Sequence, residues 1–299
     1  MKLSRRSCLA LALAAPGLSA RAGAERPLRV VASFSILADM LRNVGGDEVE
    51  VFALVGPDAD AHVFEPRPAD AGRLAQADLV VVNGLGFEGW LDRLVRTSGY
   101  RGPVVVASEG VAPRLVAGAP DPHAWQDLRL AQRYVQNLRD ALVRSRPARA
   151  AAFEARTQAY LGRMAALDAQ VRRALGGVPA QRRRVITSHD AFGYFGAAYG
   201  VEFLAAQGRS TDSEPSAADV ARLIEQIRAQ RVGAVFVENI SDPRLVQRIA
   251  KEAHATVGGR LYSDALSAPG TQADTYLKFF AHNADTIARA LSQGNGRSE

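Results

Sequence analysis

The sequence predicts an α/β protein of two lobes, each with a parallel β-sheet flanked by helices, joined by one long rigid helix. Three observations predict it. Short β-branched apolar runs alternate with helical patterns in both halves of the chain. Those runs are apolar at nearly every position, as strands covered on both faces must be. The middle of the chain is helical only.

In the first half, strands are expected at 28–33, 49–55, 78–83 and 103–107, each ending near Gly, Ser, Asn or Pro. Helices are expected between them at 36–44, 68–76 and 89–97. From Asp127 onward, Leu130, Tyr134, Leu138 and Leu142 recur at four-residue spacing. A second segment, opened by Pro147, carries Phe153, Tyr160, Met164, Leu167, Val171 and Leu175 on one face. As a single helix over 148–175 this segment is about 42 Å long, enough to run the height of two lobes. Gly176, Gly177 and Pro179 stop it.

Strands then resume at 184–188, 201–205, 232–238 and 259–262, with helices at 191–198, 216–231, 243–254 and 274–291. Ser216 is an expected N-cap, with Asp219 in the capping-box position. The expected division is a signal peptide at 1–24, an N-terminal α/β lobe at 25–146, a linking backbone helix at 147–178 and a C-terminal α/β lobe at 179–299.

The signal peptide follows from Arg5 and Arg6, an eight-residue apolar run from Cys8 to Ala15, and small residues Ala22, Gly23 and Ala24 before Glu25. The run is too short to cross a bilayer. Either the general secretory route or, from Ser4-Arg5-Arg6-Ser7, the twin-arginine route fits. Removing Lys2, Arg5, Arg6 and Arg21 lowers 37 basic residues to 33 against 31 acidic ones, so the charge falls from +6 to +2. A nucleic-acid partner then has no electrostatic basis. Cys8, the only cysteine, stands at the start of the apolar run, the wrong place for a lipid-bearing residue. The exported chain is therefore expected to be soluble and not a lipoprotein, without disulfides or thiolate ligands.

Any metal must then use His, Asp or Glu. Of five histidines, His62, His123 and His189 stand in loops after a strand or in a Pro-rich connection, whereas His254 and His282 fall in helical patterns and read as helix-surface or partly buried residues. Asp264 follows the last expected strand. Ligands gather at the carboxyl ends of strands in open α/β sheets. This placement makes a site of three histidines and one aspartate a candidate, two ligands from each lobe; ordinary hydrogen-bonded histidines are the alternative. Three imidazoles and a carboxylate suit a divalent transition metal such as zinc, while calcium and magnesium prefer oxygen alone.

The blocks DAHVFEPRPAD (60–70), DLVVVNGLGFEGWL (78–91), DPHAWQD (121–127), VITSHDAFGYFGAAYG (185–200), EPSAADV (214–220), VFVENISDPRLVQRIAKEA (235–253) and LYSDALS (261–267) together resemble the periplasmic zinc- and manganese-binding proteins of ABC importers, the TroA/ZnuA-like group. The likeness runs through the whole exported chain in order. It implies metal held between the lobes by His62, His123, His189 and Asp264, with no catalytic residues. It also implies a place in the periplasm, Zn2+ or alternatively Mn2+ as the transported ligand, and an ABC permease at the inner membrane as partner. A periplasmic metallochaperone is a further candidate partner, and the chain is expected to act as a monomer. His189 stands where manganese-favouring members often carry Glu, which tilts the reading toward zinc. The short segment 108–121 lacks the His-rich loop of many zinc-specific members.

Asp60 and Glu238 are expected behind the ligands or in structural roles, Glu214 at a turn, and Trp125 and Phe64 as walls of the site. Acid is expected to weaken metal binding below about pH 6 by protonating imidazoles. Two rival functions are an exported zinc metallohydrolase, with Asp264 as base on a bound water, and a binding protein for a larger solute such as haem or a metal chelate.

Overall fold

A computed structural model of the chain describes residues 25–230, 232 and 234–293. The signal peptide expected at 1–24 and the end of the expected C-terminal lobe lie outside the described residues.

The first lobe runs β1 (Leu28–Phe34), α1 (Ser35–Gly45), β2 (Val49–Val55), α2 (Pro68–Ala75), β3 (Leu79–Val82), α3 (Leu91–Ser98) and β4 (Val104–Val106). A small antiparallel hairpin follows, β5 (Leu115–Val116) and β6 (Ala119–Pro120), then α4 (Leu128–Ser145). The long helix α5 (Ala150–Gly176), of 27 residues, lies between the lobes. The second lobe runs β7 (Arg184–His189), α6 (Gly193–Tyr199), β8 (Glu202–Gln207), α7 (Ala217–Gln230), β9 (Ala234–Glu238), α8 (Pro243–Ala253), β10 (Thr256–Leu261) and α9 (Tyr276–Gln293).

Each lobe holds a four-stranded parallel sheet, ordered β2-β1-β3-β4 in the first and β8-β7-β9-β10 in the second. The two orders are the same. In each, the strand order reverses between the first and third strands, leaving a crevice at their carboxyl ends.

Side chains alternate faces along each strand, so one sequence run supplies two cores. Val31, Val80 and Val82 point outward and are covered by Leu74 of α2 and Leu91 and Leu94 of α3. In the second lobe Ile186, Val235 and Val237 are covered by Leu223, Ile224 and Ile227 of α7 and Val246 and Ile249 of α8. The alternate residues, Val30, Ala32, Phe34 and Val81 in one sheet and Val185, Ala234, Phe236 and Leu261 in the other, belong to a single core shared by both lobes. That core contains Phe153, Tyr160, Met164, Val171 and Leu175 of α5, with Tyr276, Phe279 and Phe280 of α9. Spreading the lobes wide would return this apolar surface to water at roughly 25 cal/mol per Å2.

Several local expectations change. The hairpin β5–β6 has too few residues to show periodicity. β10 begins at Thr256 rather than 259, because Gly258 and Gly259 interrupt its apolar run. A Cβ on Gly258 would meet Phe236 Cε1 at 2.7 Å, so the glycine permits close packing where the register shifts. β9 starts at Ala234, after the expected position 232. Pro147 opens a short 3-10 turn, and α5 begins three residues later. Ser216 Oγ accepts the Asp219 N–H at 3.1 Å, as an N-cap does, but its hydroxyl donates to the Asp219 carboxylate, so the box is closed through side chains. His254 is not inside α8. It caps the helix in the left-handed conformation, φ 55°, and is exposed. His282 is half-buried, with Nε2 3.0 Å from the Arg260 carbonyl.

Candidate metal centre

Four segments deliver four side chains to one point. His62, His123, His189 and Asp264 each offer a ligand atom, and these atoms all lie within 4.8 Å of one another. The carboxylate of Asp264 is the hub: it lies 3.1 Å from His62 Nε2, 3.6 Å from His123 Nε2 and 3.2 Å from His189 Nε2. Donors of a tetrahedral zinc shell, each about 2.0–2.2 Å from the ion, stand about 3.3–3.6 Å apart, so the spacing to Asp264 is close to that of a closed shell. The three rings meet edge to face, with centroids 5.4–5.7 Å apart.

His189 is the last residue of β7, not a loop residue as expected, and is fully buried. The β7–β9 register pairs Ile186 with Val235, which carries Glu238 alongside His189 at the strand ends. Glu238 Oε1 accepts the His189 backbone N–H at 2.9 Å, and Oε2 lies 2.6 Å from Nδ1. Asp121 treats His123 in the same way, accepting its backbone N–H at 3.1 Å and contacting Nδ1 at 2.8 Å. Asp121 is itself held by Arg114 at 2.7 Å, and its carbonyl accepts the Tyr194 hydroxyl at 2.9 Å. With a carboxylate beside each Nδ1, both Nε2 atoms face Asp264.

His62 is seated differently. Asp60 accepts its backbone N–H at 2.9 Å, and Trp90 Nε1 donates to the Ala61 carbonyl at 2.8 Å, so the loop is positioned through its backbone. The ring packs edge-on against Phe87 at 4.8 Å. Asp264 sits in the turn after β10, where the Ser263 carbonyl accepts Trp125 Nε1 at 3.0 Å and Gln126 Nε2 at 2.9 Å from the first lobe.

Among the described residues, Nε2 of all three histidines and both oxygens of Asp264 are buried without a properly directed hydrogen bond. Buried polar groups are seldom left in that state, and here all of them face one another. Charge balance explains how the cluster coexists. Burial alone would lower the pKa of His189, but the carboxylates of Glu238 and Asp264 outweigh it and hold the imidazole well above its usual value. His123 is likewise raised against the pull of burial, by Asp264 and Asp121. Burial would raise Asp264, yet His189 and His123 hold it well below the ordinary carboxylate range. An ion held by His123 and His189 would therefore have to displace protons from them.

The walls differ in part from expectation. Trp125 is buried beside His123, with ring centroids 5.3 Å apart. Phe64 instead packs on Trp90, away from the histidines, and Phe87 fills the place expected of it, touching His62, His123 and Trp125. The turn before Phe87 explains its setting: Gly84, Leu85 and Gly86 all take positive φ, wrapping the chain so that Glu88 accepts the N–H groups of Asn83 and Gly84. Asp60 supports backbone and accepts the Thr211 hydroxyl, touching no ring, and Glu88, which no local pattern singles out, likewise supports backbone. Asp121 is a further residue not expected at the site; its signal is its place two residues before His123 in the DPHAWQD block, where an Asp side chain turns back onto the chain.

The chain matches the family described as zinc-uptake complex component A, periplasmic, across residues 30–290. The zinc-binding protein TroA of Treponema pallidum is 36% identical over 279 residues, covering 90% of each chain. The manganese-binding lipoprotein MntA of Halalkalibacterium halodurans is 32% identical over 267 residues, covering 89% of each. The solved structure of periplasmic zinc-binding TroA superposes with a TM-score of 0.86 at 34% identity, over 89% of this chain and 99% of that one. The chain belongs to this family of periplasmic metal-binding components of ABC importers, which are solute-binding proteins and not enzymes. The metallohydrolase alternative falls with that membership. The lipoprotein name of the Halalkalibacterium relative runs against the expectation that the chain is not a lipoprotein.

Proposed function

We propose, with that family membership as the premise, that the chain captures a divalent transition metal in the periplasm, zinc in preference to manganese, and passes it to an ABC permease. The ligands are His62, His123, His189 and Asp264. One observation carries the reading: three Nε2 atoms and one carboxylate face a common point, buried and without other hydrogen-bond partners. Three nitrogens and one oxygen favour zinc on softness, and the general affinity order places zinc above manganese for the same donors. Relatives named for each metal make the choice an experimental one.

On a division into lobes at 25–146 and 179–299 about a linking helix at 147–178, two of the proposed ligands belong to each lobe. Because the lobes share one core, release proceeds by local movement of ligand-bearing segments rather than by wide opening. The ligand set is complete within one chain, which supports action as a monomer.

The test is zinc and manganese titrated separately into chelator-stripped protein, followed by thermal melting and by calorimetry. One zinc per chain is expected, with stabilisation of about 2.7 kcal/mol at a hundredfold excess over the dissociation constant. No change in melting with either metal would overturn the reading; tighter binding of manganese would overturn the preference for zinc.

A further inference from the structure

His62 is the one histidine of the four ligands whose ring rests on no carboxylate other than Asp264 among the described residues, so its position depends on how its loop is held. That loop leaves β2 at Val55 and crosses to the second lobe. Asp58 takes a positive φ of 52°, an uncommon conformation for a residue with a Cβ. Its N–H donates to the Leu266 carbonyl at 2.9 Å. Its carboxylate accepts the Ala268 N–H at 3.2 Å and the Asn239 side-chain amide at 3.0 Å. The same Asn239 amide donates to the Ala265 carbonyl at 3.2 Å, and its oxygen accepts the Ser263 N–H at 3.4 Å. Two acceptors on one side and a donor on the other fix the amide's orientation.

Asn239 thus grips the chain on both sides of Asp264, follows Glu238, which holds His189, and reaches across to the loop of His62. We infer that Asp58 and Asn239 form an interlobe clamp, a pair of positioning residues that sets how fast metal is released by tying the His62 segment to the Asp264 segment. This rests on the proposed ligand set. Asp58 is exposed, so the clamp is made of modest hydrogen bonds that can open without disturbing the shared core. Parting of Asp58 from Asn239, Leu266 and Ala268 frees His62 to leave while His189 and Asp264 remain on the second lobe.

Stopped-flow release of zinc into a chelator, from full-length protein, tests the clamp. Asp58→Ala is expected to speed release about three- to tenfold, the worth of one or two exposed hydrogen bonds, with association changed less than about twofold. In an Asn239→Ala background the same substitution should have a clearly smaller effect, because one of the two partners of the Asp58 carboxylate is gone and only the Ala268 N–H remains. A second readout needs no metal: amide hydrogen exchange over residues 57–63 should quicken in metal-free Asp58→Ala protein. Release within about twofold of the unsubstituted protein, equal multiplication in both backgrounds, or unchanged exchange would each overturn the clamp. Should the unsubstituted protein take up no zinc, the ligand proposal fails and the exchange measurement still decides on the clamp.

Discussion

The two lobes share one strand order yet seat their candidate ligands by different means. In the second lobe, His189 stands in a strand, and the β7–β9 register places Glu238 against it. In the first lobe, His62 and His123 stand in connections, held by short aspartate turns from Asp60 and Asp121 and by contacts that cross between lobes. A sheet fixes position through many cooperative hydrogen bonds, whereas a docked loop depends on a few. His189 therefore gives the second lobe the rigid part of the site, and the loop of His62 gives the first lobe the adjustable part.

The largest expected effect comes from removing the hub. Asp264→Ala leaves three imidazoles without their shared counter-charge and should abolish zinc-linked stabilisation in thermal melting. Retention of that stabilisation would place the metal elsewhere. His189→Ala and His62→Ala should each lose more than the roughly 10–100-fold typical of supporting groups, measured by competition with a chelator. His254→Ala should match the unsubstituted protein, since His254 caps α8 on the surface.

Removing the carboxylate supports sharpens the contrast. Glu238→Gln keeps an acceptor for the His189 N–H but removes the charge, and a loss of about tenfold in affinity is expected, toward the lower end of the range for such partners. Asp121→Asn should lose a similar amount. If Asp60→Asn, on the loop side, were to match them in affinity while leaving release unchanged, the contrast between rigid and adjustable halves would not hold.

Acid dependence follows from the raised imidazoles. His189 and His123 keep their protons to a higher pH than free imidazole, whose pKa is about 6.5. Competition with metal should therefore set in above pH 6.5, earlier than the value near 6 expected from sequence. Metal-free stability shows the opposite sign. Raised histidines stabilise the fold fully below about pH 6.5 and lose that contribution as pH rises through their folded values. The depressed Asp264 contributes above about pH 3.9 and loses its contribution as pH falls through its folded value. The zinc-induced rise in melting temperature should accordingly grow between pH 6 and pH 8. A flat difference across that range would mean that the imidazoles are already neutral.

The smallest effect is expected at the walls. Phe87→Leu keeps an apolar contact but removes the edge-to-face packing on His62, a change of about 0.5–1.5 kcal/mol in metal-free stability by thermal melting. Phe64→Leu should leave metal affinity unaltered, because Phe64 packs on Trp90 instead.

The sequence by itself determined the two α/β lobes, the long helix and the four side chains that meet, because those features are written in local periodicity, in chain punctuation and in motif blocks that resemble a family. The shared core was only partly readable: strands apolar at every position show that both faces are covered, not which helices cover them. Glu238 could be named from its block but not given its partner, since a sequence shows that a strand ends there and not which strand lies beside it. Phe87 and Asp121 sit in the same motif blocks, yet local pattern cannot say which aromatic reaches the histidines or which acid meets a ring. The tertiary structure alone decided the backing of His123 and His189, the interlobe links of Asp58 and Asn239, and the raised imidazoles. Each depends on distances between residues far apart in the chain, and electrostatic and hydrogen-bond energies are set by distance and burial rather than by position in sequence.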